Sequence, residues 1–336
     1  MKKKLIIVGA GISGLYLAHL LEDIFDITIL EARERIGGRI YSIDGHDMGP
    51  SWIWSHHTQM LELLRKLDLE LFSQYTKGYA LYESKGKIEA FVAPASAPSA
   101  RVSGSLSTLV NALKNSLKST VINFTQEVQS IKEKEYQVVV ETTTESFSCD
   151  YVISTLAPRL AAKVEYEPKL PQKLQIKMLH TPTWMGNSAK CVIEFKKAFW
   201  KEKDLSGFVF SHSGPLGEIH DASTKTKAAL FGFVLSNADM KNIEQAVKEQ
   251  ICRLFKIDET EILSIHLIDW RKERFTAVEE DTKGINGHPE YGIDTSLFSN
   301  KIFFSATEFS FTEGGYLEGA ILQAQKVAKK LSVSAV

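Results

Sequence analysis

The sequence predicts an α/β chain in two parts: a parallel-sheet part drawn from both ends of the chain, and an α+β part built on an antiparallel sheet. Three observations carry this. The chain opens with an apolar run at 5–8, a glycine turn, a helical pattern (Leu15, Ala18, Leu20, Leu21) and a second apolar run at 27–30, the βαβ order of a parallel sheet. From about Arg159 the pattern turns to β-rich stretches at 190–195, 207–210, 228–235 and 262–270, separated by loops and one helix carrying Met240, Ile243, Val247, Ile251 and Leu254. The buried-strand pattern returns at 302–305, ahead of a helix with Leu317, Ile321, Ala324, Ala328 and Leu331 on one face. The first domain is therefore expected to be discontinuous, made of 1–75, 101–158 and 295–336, with 76–100 and 159–294 forming the second.

The smaller elements follow in order. A hairpin is expected at 41–45, and a helix from Thr58 with Met60, Leu61, Leu64 and Leu67 on one face. Short strands follow across 79–91. The Ala/Pro/Ser-rich stretch at 93–100 reads as a linker between domains. A helix at 105–117 and strands at 137–141 and 151–154 complete the first part.

The turn Gly9-Ala10-Gly11-Ile12-Ser13-Gly14 has the spacing of a dinucleotide-binding motif, with Glu31 at the end of the second strand. Gly9 permits the tight turn, Gly11 lets the backbone approach a pyrophosphate, and Gly14 lets the helix pack close to the strand. The helix N-terminus offers free N–H groups and partial positive charge to the phosphates. Glu31 accepts hydrogen bonds from ribose hydroxyls, which argues against a 2′-phosphate. NAD and FAD share this motif, so the turn alone does not choose between them.

Composition sets the outer limits. The chain has 336 residues, room for two domains, and 40 Lys+Arg against 41 Asp+Glu, so it shows no nucleic-acid or anionic-membrane footprint. No run of about twenty apolar residues exists to span a membrane. Met1-Lys2-Lys3-Lys4 before the first apolar run resembles a signal peptide, but that run is too short and the glycine motif needs it as a strand. Cys149, Cys191 and Cys252 are scattered and read as reduced thiols, Cys191 on the strand face opposite Lys190, so the expected location is cytoplasmic. No metal is expected: His180, His212, His220 and His266 show no ligand spacing, and the adjacent His56-His57 beside Trp54 either face the entrance to the dinucleotide site or, as is commoner for adjacent loop histidines, are solvated.

Read together, the two ends resemble the FAD-dependent flavin amine oxidase family. The resemblance rests on Gly9–Gly14 as above, on Glu31-Ala32-Arg33 with Ile36-Gly37-Gly38-Arg39, on Lys190 ahead of Phe199-Trp200, and on Ala306-Thr307-Glu308 with Gly314-Gly315-Tyr316-Leu317-Glu318-Gly319-Ala320. It runs over almost the whole chain and selects FAD. It implies that Gly9, Gly11, Ile12, Ser13 and Gly14 hold the pyrophosphate, that Glu31 and Ala32 meet the adenosine ribose, and that Arg33, Gly37, Gly38 and Arg39 line the phosphate and ribityl region. Val128 would meet the adenine through its backbone, and Gly49, Pro50, Ser51 and Trp52 would flank the flavin ring. Glu308 would lie near the ribityl-pyrophosphate, and Leu317, at a helix N-terminus, near the pyrimidine end of the flavin, where reduced flavin is anionic. Lys190 would hold a water at flavin N5, Tyr316 would form one wall of an aromatic cage for the amine, and Trp270 would stand near the flavin.

Two departures from the family are visible. The second cage aromatic and the cysteine that links flavin covalently in the mitochondrial enzymes should follow Trp270, where the chain has Arg274-Phe275-Thr276-Ala277-Val278-Glu279-Glu280. The FAD is therefore expected to be noncovalent and the cage half-built; Glu279-Glu280-Asp281 is a solvated loop or an attractant for cations. The implied reaction is hydride transfer from an amine α-carbon to flavin N5, hydrolysis of the imine, and reoxidation by O2 to H2O2, with a small amine as substrate; no general base is identifiable, and none is required if the amine binds neutral. Two alternatives are a flavin-dependent desaturase or dehydrogenase acting on a non-amine, and a flavin-binding protein with no catalysis.

Overall fold

The computed structural model describes residues 2–94, 97–283, 287–296 and 298–335. Lys3–Val8 is the middle strand of a five-stranded sheet. Phe25–Leu30 and then Val121–Asn123 lie on one side, Tyr151–Ser154 and then Ile302–Phe304 on the other. Every pairing in this sheet is parallel. Its inner strands are covered on both faces, which is why they read as unbroken apolar runs. Leu5 and Ile7 face the helices Ile12–Leu21, Thr58–Lys66, Ser107–Ser116 and Leu317–Ala335. Ile6 and Val8 face a four-stranded sheet and the helix Gln172–His180. That sheet consists of Val128–Glu133, Val138–Thr142, Ser146–Cys149 and Glu165–Glu167. The C-terminal helix packs along Ile12–Leu21, so both chain ends meet on one side of the parallel sheet.

The large sheet has seven strands in the order Ile262–Asp269, Ala189–Phe195, Ala228–Val234, Leu216–Asp221, Leu205–Ser211, Tyr79–Ser84 and Lys87–Phe91. Its pairings are antiparallel except one: Leu205–Ser211 runs parallel to Tyr79–Ser84. The chain leaves this sheet after Phe91 and returns much later, and such a long crossover permits a parallel pairing where a short turn would not. Alternation along Ala189–Phe195 sends Cys191, Ile193 and Phe195 under the helix Ile243–Phe255. Val192 faces the other way, toward Met48 and Phe231, and Lys190 shares its parity.

The hairpin forms as Ser42–Ile43 against His46–Asp47, with Asp44 and Gly45 both at positive φ. The linker is shorter than composition suggested. Ser99–Val102 is a strand paired with Ile53–Trp54 and Leu71–Ser73, while Ala95 and Ser96 lie outside the described residues. Small and proline-rich residues mark a loop, but tertiary pairing claimed its end. Among the described residues no helix is long and apolar enough to cross a membrane.

Candidate active site

The glycine turn lies where Lys3–Val8 ends and the first helix begins. Gly9 has φ +102°, and its N–H donates to Leu30 O at 2.8 Å. A Cβ on Gly14 would sit 2.0 Å from Gly9 O, so only glycine lets the helix come this close. A Cβ on Gly11 would meet nothing within 4 Å: the backbone there faces open space, as a bound pyrophosphate requires. Ser13 Oγ is committed elsewhere. It bonds Ser305 O, tying the first helix to the end of the last strand. Glu31 is buried, with Oε2 accepting from Ala10 N–H at 2.8 Å and Oε1 from Arg33 N–H at 2.9 Å. These bonds hold the carboxylate at the strand end with lone pairs to spare.

The far end is built from the large sheet and from the loop after the hairpin. Lys190 is 3% exposed. Its Nζ donates to Gly49 O at 2.9 Å and to Ser51 Oγ at 2.6 Å, and lies 4.2 Å from the Phe231 ring centroid. Burial pushes the Lys190 pKa down to about 7, against the pull of Asp47. Asp47 is itself buried, accepting from Leu106 N–H at 2.8 Å, and burial raises its pKa. Arg101, the third buried charge of the group, donates to Ser223 O and Ala222 O. Trp270 Nε1 donates to Met48 O at 3.0 Å and thereby clamps the loop that carries Gly49, Pro50 and Ser51.

Tyr316 follows Gly315, whose φ is +87°, and precedes the helix Leu317–Ala335. One face of its ring stacks on His288, centroids 4.9 Å apart and planes 4° apart. Trp184 and His57 flank it at 6.2 and 5.9 Å. Of the segment expected to carry the second cage wall, Arg274, Phe275, Thr276, Ala277, Val278 and Glu279 line the space.

One cavity of about 880 Å3 joins the two ends. Gly9, Gly11, Ile12, Ser13, Glu31, Ala32, Arg33, Gly37, Gly38, Arg39 and Val128 line its length, and Gly49, Pro50, Ser51, Trp52, Lys190, Trp270, Tyr316 and Leu317 line its far end. Two of the sequence-derived residues stand behind the wall. Gly14 serves packing, and Glu308 is buried, gripping Arg39 through both oxygens at 2.6 and 3.1 Å and accepting from Trp184 N–H. It is thus Arg39 that faces the cavity. Sequence reasoning missed Asp47, Arg101, Trp184 and Phe231, none of which carries a local signal. It also misplaced His57, which is buried in the cavity wall instead of solvated, because the turn after Trp54 points it inward. No cysteine lines the cavity among the described residues.

The cavity volume, the acidic strand end and the open glycine backbone fit a dinucleotide, and the absence of a nearby thiol among the described residues fits one held without a covalent link. Comparison with known proteins names the group. The family model described as flavin containing amine oxidoreductase matches residues 95–332, and an NAD(P)-binding Rossmann-like domain model matches 7–67. This chain is a member of the flavin-containing amine oxidoreductase family. It is accordingly an FAD-dependent oxidoreductase acting on amines. Amine oxidase [flavin-containing] A of Canis lupus familiaris is 24% identical, with 97% of this chain and 84% of that protein aligned. Amine oxidase [flavin-containing] B of Mus musculus is 23% identical, with 98% and 86% aligned. Among solved structures, putrescine oxidase bound to putrescine superposes with a TM-score of 0.84 at 18% identity, covering 99% of each chain. Cyclohexylamine oxidase from Brevibacterium oxydans IH-35A gives 0.83 at 18% identity and the same coverage, and these two likenesses show the shared fold.

Proposed function

We propose that the protein oxidises a small amine at its α-carbon and passes the electrons to O2. The observation that carries this is Lys190: a buried lysine, anchored by Gly49 O and Ser51 Oγ, in the wall of the cavity that also holds the dinucleotide turn. FAD, when bound, supplies the electron chemistry, taking a hydride from the amine and yielding H2O2 with O2. The glycine turn, Glu31, Arg33, Arg39 and Val128 would hold its adenosine and phosphate portions. Gly49 to Trp52, Trp270 and Leu317 would surround its ring, with the helix N-terminus at Leu317 favouring negative charge there.

The chain's own residues then divide the work. Tyr316 presents its free face to the amine, and a tyrosine face attracts a cation and orients a neutral amine. Lys190 holds a water and supplies positive charge when protonated. Water reaching the site hydrolyses the imine product. The test is an anaerobic screen of alkyl and aryl amines against bleaching of the bound flavin, followed by admission of air and assay of H2O2. An amine of the panel should bleach it and air should restore the colour with peroxide release. Flavin that no amine bleaches would refute the proposal, and bleaching by a non-amine alone would favour a desaturase or dehydrogenase.

A further inference from the structure

Two adjacent histidines precede the helix Thr58–Lys66, and the fold treats them differently. The His56 side chain is 54% exposed; that of His57 is 1% exposed. The His57 ring lies in the cavity wall beside Tyr316. Beyond it, Glu313 borders a separate surface depression shared with Tyr316 and His288. His57 therefore stands between the cavity and the surface.

Its hydrogen bonds set its tautomer. Nδ1 accepts the Trp54 backbone N–H at 3.5 Å, so Nδ1 carries the lone pair and Nε2 the proton. Nε2 has no close partner, and Glu313 Oε2 waits 3.4 Å away. Charge-assisted N–H···O bonds close to about 2.8 Å, so an imidazolium would draw this gap shut. His56, His57 and Glu313 converge within 4.8 Å, the spread of a metal-binding trio. A metal needs Nε2 without its proton, however, and the tautomer places the proton there.

The charges around the ring favour a neutral resting state. Burial lowers the His57 pKa and His56 lowers it further, while Glu313 and Glu318 oppose them. Glu318, at the start of the C-terminal helix, is occupied by the N–H groups of Gln59 and Met60 at 2.9 and 2.7 Å. Tyr316, the remaining titratable neighbour, has its hydroxyl pKa raised by burial and so stays neutral.

We propose that His57 is the proton acceptor for the amine, relaying the proton through Glu313 to solvent; this rests on the amine reading above. An ammonium carbon cannot release a hydride, because the adjacent positive charge opposes it. One N–H bond of the substrate ammonium breaks and one forms at His57 Nδ1, whose lone pair gives up the long 3.5 Å bond from Trp54 N–H to receive it. The Nε2 proton passes to the Glu313 carboxylate and on to bulk water, and no electrons move in this step.

The test compares wild-type holoenzyme with His57→Gln and Glu313→Gln by anaerobic stopped flow, using putrescine and cyclohexylamine. Flavin content and melting temperature serve to confirm folding. At about pH 7, where the amine arrives protonated, His57→Gln should slow flavin reduction about a hundredfold; at about pH 10 the free base supplies itself and the loss should shrink to about twofold. Independently, NMR of 13C-labelled histidine should show the resonance missing in His57→Gln titrating below the usual value of about 6.5, and lower still in Glu313→Gln. Equal loss at both pH values, no loss, or a titration indifferent to Glu313 would overturn the relay. So would one equivalent of Zn2+ bound by the wild type and lost in both variants. A wild-type flavin that neither amine reduces at either pH would instead refute the amine reading, while the histidine titration would still report whether His57 and Glu313 are coupled.

Discussion

Lys190 is a cation buried where an apolar side chain would meet no desolvation cost. Removing an ammonium from water costs several kcal/mol. Two hydrogen bonds, the face of Phe231 and the field of Asp47 offset part of that cost. The balance leaves its pKa at about 7, with burial the largest cause and Asp47 pulling upward. The group is charged below that value and neutral above it. Oxygen gains negative charge as it is reduced, and a neighbouring cation lowers that barrier. Stopped-flow reoxidation of the reduced holoenzyme should therefore slow as pH rises through about 7. Asp47→Asn should move that midpoint downward, because it removes the charge that favours the protonated lysine; a midpoint that does not move would mean Asp47 is not coupled to Lys190. Lys190 itself was legible in the sequence only through family resemblance, since a lysine on a strand carries no local sign of burial. Asp47 and Arg101 were not legible at all, because the sheet and the hairpin that bring them together are distant in sequence. His57 was misjudged for the same reason: adjacent histidines on a loop look solvated until the turn is seen.

At the scale of elements, the glycine turn was the most legible feature, because each glycine answers a local steric demand. Gly14→Ala places a Cβ 2.0 Å from Gly9 O, and the helix must back away from the strand. Overpacking of this kind costs about 1–3 kcal/mol. The variant should melt lower and purify with much less flavin, and full flavin content with an unchanged melt would contradict this role. Long apolar runs and the two helices with clear periodicity were also readable. Glu165–Glu167 and Gln172–His180 were not, since the first is short and polar and the second buries only Leu174 and Met178. The parallel pairing inside the large sheet was hidden too, because register between distant strands is a property of the whole chain.

At the scale of the molecule, the cavity exists because the two chain ends are tied across it. Ser13 bonds Ser305, Arg39 grips Glu308, and Arg33 reaches Glu273 and Thr276 at 3.1 and 2.8 Å. Thr307 Oγ1 also donates to Tyr316 O at 2.6 Å, setting the start of the last helix. Glu308→Gln removes the buried charge that holds Arg39, and should weaken FAD retention on dialysis without abolishing folding; retention equal to wild type would contradict it. A ligand filling this cavity stabilises the fold by mass action, by about 4 kcal/mol at a thousandfold excess over its Kd. FAD removal should thus lower the melting temperature, and readdition should restore it. Acid precipitation should release all the yellow colour into the supernatant, since no cysteine lines the cavity.

The most direct measurement is reoxidation of the reduced flavin by dissolved O2 in wild type and Lys190→Met, followed at the flavin absorption band in a stopped-flow cell. Lys190→Met should retain a full complement of FAD and reoxidise at least about tenfold more slowly, having lost the cation and, on the proposed reading, the water it would hold. Equal rates in the two proteins, with flavin fully bound in both, would remove Lys190 from the chemistry.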